Sequence, residues 1–231
     1  MAENRPTILL IEDEAEIRRF VRVALTAENY RVVESSDGRR GAIDAGTHKP
    51  DLAIVDLGLP DIDGIDVIRR LREWSPMPII VLSARVQERA KIEALDSGAD
   101  DYVTKPFGIG ELLARVRAAL RHVVRTRSGT TVLKLGAAIV DLEVRHASRD
   151  GVDIRMTPLE FRLLAVLAKH AGMVVTHRQL LTQVWGPTHA TDTHYLRIYM
   201  KQLRDKFEAD PIRPRHFVTE TGVGYRLLVD E

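Results

Sequence analysis

The sequence predicts two domains of different class. The first is a doubly wound α/β domain with a five-stranded parallel sheet; the second is a smaller domain of antiparallel strands and helices. Three observations carry this. Five short apolar runs alternate with helical patterns through the first half. The stretch VVRTRSGTT (123–131), basic and then small and polar, breaks that rhythm. Beyond it come short alternating strands, helices with capping boxes and a glycine-turned terminal hairpin. The expected boundaries are 1–125 for the first domain, 126–131 for a linker and 132–231 for the second domain.

The apolar runs are Ile8–Ile11, Arg31–Val33, Leu52–Val55, Ile79–Leu82 and Tyr102–Val103. Between the first two, Ile17, Phe20, Val21, Ala24 and Leu25 recur at i, i+3, i+4, i+7 and i+8, one face of a helix. Ile65, Ile68 and Leu71, and Leu112, Leu113, Val116 and Leu120, repeat that pattern. Continuous apolar strands separated by helices imply a parallel sheet covered on both faces. In the second half, Asp150-Gly151 marks a hairpin. Thr157, Pro158 and Glu160 form the start of a helix that ends at Gly172, and Thr176 with Gln179 starts another. A third helix is expected from Thr191–Asp192 to Glu208, followed by the hairpin FVTETGVGYRLLV.

The 231 residues are 45% hydrophobic and 29% charged, and no apolar run approaches the roughly 18 residues that span a membrane. Acidic residues stop the apolar stretch of MAENRPTILLIEDE, so no signal peptide is read there. These features predict a cytoplasmic protein with no membrane partner. With no cysteine, disulfides, thiolate catalysis and thiolate-bound zinc are excluded. Residues 1–125 carry 19 Lys+Arg against 21 Asp+Glu, and residues 126–231 carry 15 against 12. The second half is thus the more basic, which permits a nucleic-acid partner.

Polar residues gather where the strands end: Glu12 and Asp13 after the first, Asp56 at the third, Ser83 at the fourth, Thr104 and Lys105 at the fifth. Open α/β sheets bind ligands at that edge, where strand order reverses. For an order 2-1-3-4-5 the reversal lies between the strands carrying Glu12, Asp13 and Asp56. Three carboxylates in one crevice repel unless a cation joins them, and magnesium suits oxygen ligands with phosphate. Lys105 adds a compact positive charge and Ser83 a hydroxyl. The set fits a phosphoryl group at or near Asp56.

IEDE, IVDLGLPDIDG, VLSA and GADDYVTKPF, over residues 6–122, resemble the receiver domain of bacterial two-component response regulators. The resemblance implies a flavodoxin-like (CheY-like) fold and makes Asp56 the acceptor of a phosphoryl group from a sensor histidine kinase. It implies Mg²⁺ held by Asp13, Asp56 and the Gly58 carbonyl, with Glu12 acting mainly through water. It assigns phosphate contacts to Ser83 and Lys105, an aromatic switch to Tyr102, and a cis bond to Lys105–Pro106. Where Glu12 stands, the family often has aspartate. The resemblance further implies a homodimer favoured by phosphorylation, with Lys91–Glu111, Asp96–Arg117 and Asp101–Arg115 paired across a twofold axis around Ile92, Leu95 and Ala114.

In the third helix of the second half, Leu196, Met200, Leu203 and Phe207 form one apolar stripe, with Arg197, Lys201 and Arg204 beside it and His194 beyond. Two helices before it and a glycine-containing hairpin after it point to a winged helix-turn-helix. LTPLEFRLLAVLAKHAGMVVTHRQLLTQVWG and GYR resemble the winged-helix effector domain of OmpR/PhoB-type regulators. The recognition segment resembles those members that regulate high-affinity potassium-transport genes. By position, the resemblance assigns duplex DNA contacts to Arg197, Tyr199, Lys201, Gln202, Arg204, Thr221 and Arg226. Many relatives carry arginine where Thr221 stands, so the DNA sequence read must differ from theirs. RNA polymerase contact through the loop around Trp185–Ala190 is implied by the family alone.

Rival classes lack their signatures. A haloacid-dehalogenase-type phosphatase needs a second aspartate two residues after the first, where this chain has Gly58. EDEAEI offers no glycine-rich turn for a dinucleotide, and no P-loop or His-Glu metal motif appears. A receiver-controlled protein- or RNA-binding module, or a regulator that works without phosphorylation, remains an alternative. The basic side of the third helix favours DNA.

Overall fold

The structure, a computed structural model, describes residues 5–127, 131–190 and 193–230. Part of the expected linker, Ser128–Thr130, and the expected start of the last long helix, Thr191–Asp192, lie outside the described residues. The chain divides into two compact units between Arg121 and His122.

The first unit runs β1 (Thr7–Ile11), α1 (Ala15–Ala27), β2 (Arg31–Ser35), α2 (Gly38–His48), β3 (Leu52–Asp56), α3 (Gly64–Arg72), β4 (Ile79–Ser83), α4 (Glu88–Asp96), β5 (Asp101–Thr104) and, as far as Arg121, α5 (Ile109–Arg127). Its strands pair in parallel in the order β2-β1-β3-β4-β5. Ile8–Ile11, Leu52–Val55 and Ile79–Leu82 are fully buried, as a sheet covered on both faces requires. On α1 the stripe is narrower than the periodicity implies. Val21 and Leu25 are buried, whereas Phe20, at the stripe's margin, is 52% exposed.

Register pairs Asp56 with Leu82 and Ser83 with Thr104, which lines the strand ends along one edge. The chain turns sharply after Asp56 because α3 begins hard against that strand. The Gly64 N–H donates to the Leu57 carbonyl at 3.2 Å. A Cβ at Gly64 would collide with the Asp56 carbonyl oxygen and lie 2.7 Å from the Leu57 Cα. The acidic turn is tied at both sides. Asp61 accepts from the Gly38 and Arg39 N–H groups at 2.7 and 2.9 Å, at the start of α2. Asp63 caps α3 by accepting from the Ile65 N–H at 2.9 Å.

The second unit opens with an antiparallel sheet of β6 (Val132–Leu135), β7 (Ala138–Asp141), β8 (His146–Arg149) and β9 (Val152–Asp153). Asp150 and Gly151 turn its last hairpin with φ of 50° and 79°, the positive pair that a two-residue Asp-Gly turn needs. There follow α6 (Pro158–Lys169), β10 (Val174–Thr176), α7 (His177–Trp185), α8 (Thr193–Phe207), β11 (Phe217–Glu220) and β12 (Gly224–Leu227). Both expected capping boxes form, Thr157 with Glu160 and Thr176 with Gln179. Strand β10 was not expected. Its three residues show no alternation, and it forms by pairing with β12 in the order β10-β12-β11.

The core joins Leu163, Leu167, Leu181, Leu196, Met200 and Phe207 of the three helices to Phe217 and Leu227 of the hairpin. Buried Glu208, at the end of α8, accepts from the N–H groups of Arg215, His216 and Phe217 at 2.9, 2.8 and 2.7 Å. The turn into the hairpin is thereby locked to the helix.

Gly64→Ala is expected to lower the unfolding free energy of the first unit by about 1–3 kcal/mol, the usual cost of overpacking. Urea unfolding of the full chain checks this; an unchanged midpoint would show that the turn yields freely.

Candidate functional site

At the carboxyl edge of the first sheet, one oxygen from each of Glu12, Asp13 and Asp56 lies within 4.8 Å of the others. Glu12 follows β1, fully buried; Asp56 closes β3, also buried. Lys105, just beyond β5, has a side chain only 10% exposed. Its ammonium donates to Glu12 Oε1 at 2.9 Å and to Asp56 Oδ2 at 2.9 Å, and reaches Glu14 Oε1 at 3.3 Å. The Lys105–Pro106 bond is cis. The Gly58 N–H donates to Asp56 Oδ1 at 3.2 Å, so the backbone of that residue lies beside the carboxylate.

The electrostatics follow from burial. Desolvation pushes the Glu12 carboxyl up to about 7, and the neighbouring Asp56 charge adds to this, although the Lys105 hydrogen bond opposes both. Burial disfavours the Lys105 ammonium, but its bonds to Asp56 and Glu12 prevail and hold it above the ordinary lysine value. Glu12 Oε2 is buried with no hydrogen-bond partner among the described residues. Such an atom is costly unless something occupies the space beside it. With three acidic oxygens converging, these hard donors fit a divalent cation of the magnesium type.

Along the same edge, Ser83 Oγ accepts from the Arg85 N–H at 3.1 Å, and the Tyr102 hydroxyl donates to the Arg85 carbonyl at 2.7 Å. The Tyr102 ring is buried. Desolvation raises its phenol pKa, and a hydrogen bond with Ser83 works the other way. The Arg85 guanidinium pairs with Asp63 Oδ2 at 2.9 Å.

In the second unit, α8 buries Leu196, Met200, Leu203 and Phe207 and turns His194, Tyr195, Arg197, Ile198, Lys201 and Gln202 outward. Lys201 pairs with Asp205 one turn on, at 2.8 Å. Thr221, exposed, precedes Gly222, whose φ of 73° makes the wing turn.

Comparison with known proteins is decisive. Residues 8–117 match the family described as response regulator receiver domain, and residues 151–227 the family of the transcriptional regulatory protein C terminus. The chain is 56% identical over 222 residues to the KDP operon transcriptional regulatory protein KdpE of Escherichia coli, covering 96% of this chain and 99% of that one. The chain belongs to the OmpR/PhoB-type response regulators. It is 47% identical to KdpE of Mycobacterium tuberculosis over 95% of its length and 97% of that protein's. The crystal structure of the response regulator DrrB, a Thermotoga maritima OmpR/PhoB homologue, superposes with a TM-score of 0.50 at 30% identity, covering 97% of this chain and 99% of that one. A receiver paired with a DNA-binding domain makes this regulator one that controls transcription.

The regulator brings Glu12, Asp13, Asp56, Gly58, Ser83, Tyr102 and Lys105 to one sheet edge. Its other expected residues are less uniform. Arg226 is buried, not poised for phosphate. It pairs with Glu220 at 2.9 Å and donates to the Gly172 carbonyl at 2.7 Å, fastening β12. Arg204 spends its donors on the Phe217 carbonyl at 3.0 and 2.5 Å and on Thr219 Oγ1 at 2.7 Å. Tyr199 packs on the core beside Trp185, ring centroids 5.4 Å apart.

On the face expected to dimerise, Arg115 grips both Asp101 oxygens at 2.9 Å and Glu111 at 2.7 Å within one chain. Arg117 lies 3.4 Å from Glu28 of the same chain, and Lys91 stands over the Tyr102 ring at 5.7 Å. Leu95 is buried in its own unit, whereas Ala114 is exposed and Ile92 and Asp96 half-buried. Glu14, Arg85 and Asp63 were not anticipated, since their relation to the crevice is tertiary. Tyr195 and Ile198 are large apolar residues exposed on α8.

Glu12 binds its proton more tightly folded than unfolded. Its contribution to stability is therefore fully present below pH 4.5 and lost as pH rises through about 7. Without divalent cation, wild type is expected to lose stability relative to Glu12→Gln by up to about 1.4 kcal/mol per pH unit across that window. Urea titrations at several pH values test this, and a constant difference would overturn it.

Proposed function

We propose that this regulator takes a phosphoryl group on Asp56 from a sensor histidine kinase of the KdpD type and thereby controls transcription of a kdp operon. The identity to KdpE over nearly the whole chain supports the choice of operon and kinase. The observation that carries the chemistry is the buried, unpartnered Glu12 Oε2 beside Asp13 and Asp56.

In this reading, Asp13, Asp56 and the Gly58 carbonyl would hold Mg²⁺, with Glu12 acting mainly through water. Bound there, the ion would supply charge neutralisation for the phosphoryl oxygens. The bond from phosphorus to the kinase imidazole breaks as a bond to an Asp56 oxygen forms. Catalysis is positioning and charge neutralisation, the recurring means of phosphoryl transfer. Lys105 exchanges the Asp56 carboxylate for a phosphoryl oxygen, and Ser83 turns its hydroxyl from the Arg85 N–H to donate to another. Because Tyr102 is hydrogen-bonded to the carbonyl of Arg85, the same shift reaches the α4–β5–α5 face. This chemistry is signalling, not turnover of an external substrate.

Phosphorylation then favours a homodimer through that face. The Arg115 bonds to Asp101 and Glu111 must open, or keep one carboxylate while gaining another, for the cross-pairs Lys91–Glu111, Asp96–Arg117 and Asp101–Arg115 to form. Glu111 is exposed and its exchange is cheap, whereas Asp101 is buried and has to stay paired throughout. Two winged helices then occupy spaced half-sites of duplex DNA, with Arg197 and Lys201 on the phosphates and Thr221 in the wing.

Incubation with acetyl phosphate and Mg²⁺ is expected to add one phosphoryl mass to wild type and none to Asp56→Asn. Intact mass spectrometry reads this, and equal labelling of both proteins would remove Asp56 from its role. Sedimentation velocity is expected to show a larger dimer fraction with a phosphoryl analogue bound; equal fractions would sink the dimerisation step.

A further inference from the structure

Two of the three acidic groups in the crevice owe their aim to one side chain, since Lys105 holds Glu12 and Asp56 at 2.9 Å each. The Asp13 carboxylate makes no hydrogen bond among the described residues, yet one of its oxygens lies within 4.8 Å of the other two groups. Its direction therefore comes from the backbone that carries it. That backbone is gripped from α1. Arg18 Nη1 donates to the Glu12 carbonyl at 2.7 Å and to the Asp13 carbonyl at 2.9 Å. These carbonyls belong to the two rigid peptide planes that flank the Asp13 Cα, so holding both fixes that residue's φ and ψ together. On the other side, the Glu12 N–H donates to the Ser35 carbonyl at 3.1 Å and anchors the turn to β2.

Nothing in the helix itself calls for an arginine there. Side chains on a helix lean towards its N-terminus, so Arg18, the fourth residue of α1, reaches back over the turn. A cation in that place opposes the helix dipole, which favours anions. The helix also begins at Glu14 with no side-chain cap hydrogen bond, so no ordinary cap holds the turn instead. The arginine is itself seated, its side chain 22% exposed and its Nε 3.8 Å from Glu34 on β2. Arg22, one turn on, shares Glu34 at 3.2 Å and makes no bond to the turn among the described residues. We propose that Arg18 is a positioning residue for the divalent cation: by clamping the Glu12 and Asp13 carbonyls, it holds the Asp13 carboxylate in line with Asp56. The inference rests on the reading that this crevice takes a cation of the magnesium type. Loss of a group that orients a metal ligand commonly lowers metal affinity about ten- to a hundredfold. Charge acts in the opposite sense. A nearby guanidinium repels a cation, so an arginine that mattered only through its charge would leave binding tighter when neutralised.

The test titrates the full chain with Mn²⁺, which takes the same oxygen ligands as Mg²⁺ and whose free-ion EPR signal falls on binding. Arg18→Met keeps an apolar stem and loses the donors; it is expected to bind Mn²⁺ about tenfold more weakly or worse. Arg22→Met is expected to bind as wild type does. In an Asp13→Asn background, Arg18→Met is expected to cost less than about twofold more, because its effect passes through Asp13. A general loosening of the domain would cost as much in either background. Urea unfolding without cation follows the fold. Should Arg18→Met not fold, Arg18→Lys takes its place in the cycle; its shorter reach is expected to give a smaller weakening that again disappears with Asp13→Asn. Binding as tight as wild type, or tighter, in the Arg18 variant overturns the inference and leaves the cation site standing, as does an equal loss in both backgrounds. Wild type that binds no Mn²⁺ overturns the cation site and the inference together.

Discussion

Much of the first unit answers to one problem, that of holding acidic groups together. At a separation near 4 Å, two like charges cost about 4 kcal/mol even at an effective dielectric constant of 20. Lys105 meets this by placing one ammonium 2.9 Å from both Glu12 and Asp56. The strand order makes this possible. β4 lies between β3 and β5, so a lysine from the end of β5 crosses above the end of β4 to reach Asp56. The parallel register puts all the ends at one level, and the glycine-tight turn into α3 holds the Asp56 carbonyl side closed. One ammonium does not satisfy every oxygen, which leaves Glu12 Oε2 without a partner among the described residues and keeps its carboxyl hungry for a proton or a metal.

Arg85 shows how a residue with no charge role in the crevice can still organise it. Its N–H meets Ser83, its carbonyl meets Tyr102 and its guanidinium meets the aspartate that caps α3. Three functional elements thus share one backbone segment just after β4. Ser83 and Tyr102 are thereby joined through one residue, Arg85.

How far the sequence could be read depended on whether a feature is local. The five strands of the first unit, the two capping boxes and the Asp-Gly turn rest on periodicity and on residue choices within four positions, and they form as the spacing implies, whereas the strand order follows from the resemblance. The crevice was legible because strand ends converge on one edge whatever the details. Partner choice was not. Arg226 and Arg204 look like free cations in a linear reading, yet Gly172, Glu220 and Phe217 claim them through folding of the hairpin onto α8. Asp101 and Arg115 lie 14 positions apart, and only the seating of α5 against β5 brings them within 2.9 Å. Phe20 fits a helical stripe by spacing but lies at its margin, where the neighbouring sheet no longer covers it.

The inward turn of Arg226 bears on what its charge can do. Every cation that meets a DNA phosphate releases counterions, and each contributes about −0.9 to the slope of affinity against salt on logarithmic axes. Arg226, buried and paired with the Glu220 carboxylate, is not placed to add to that slope, whereas Arg204 keeps its charge beside neutral partners. The winged helix therefore gives up part of the sequence-blind attraction that most of its charge would supply. A neutral residue in place of Arg226 would thus loosen the hairpin before it altered the salt dependence of any binding.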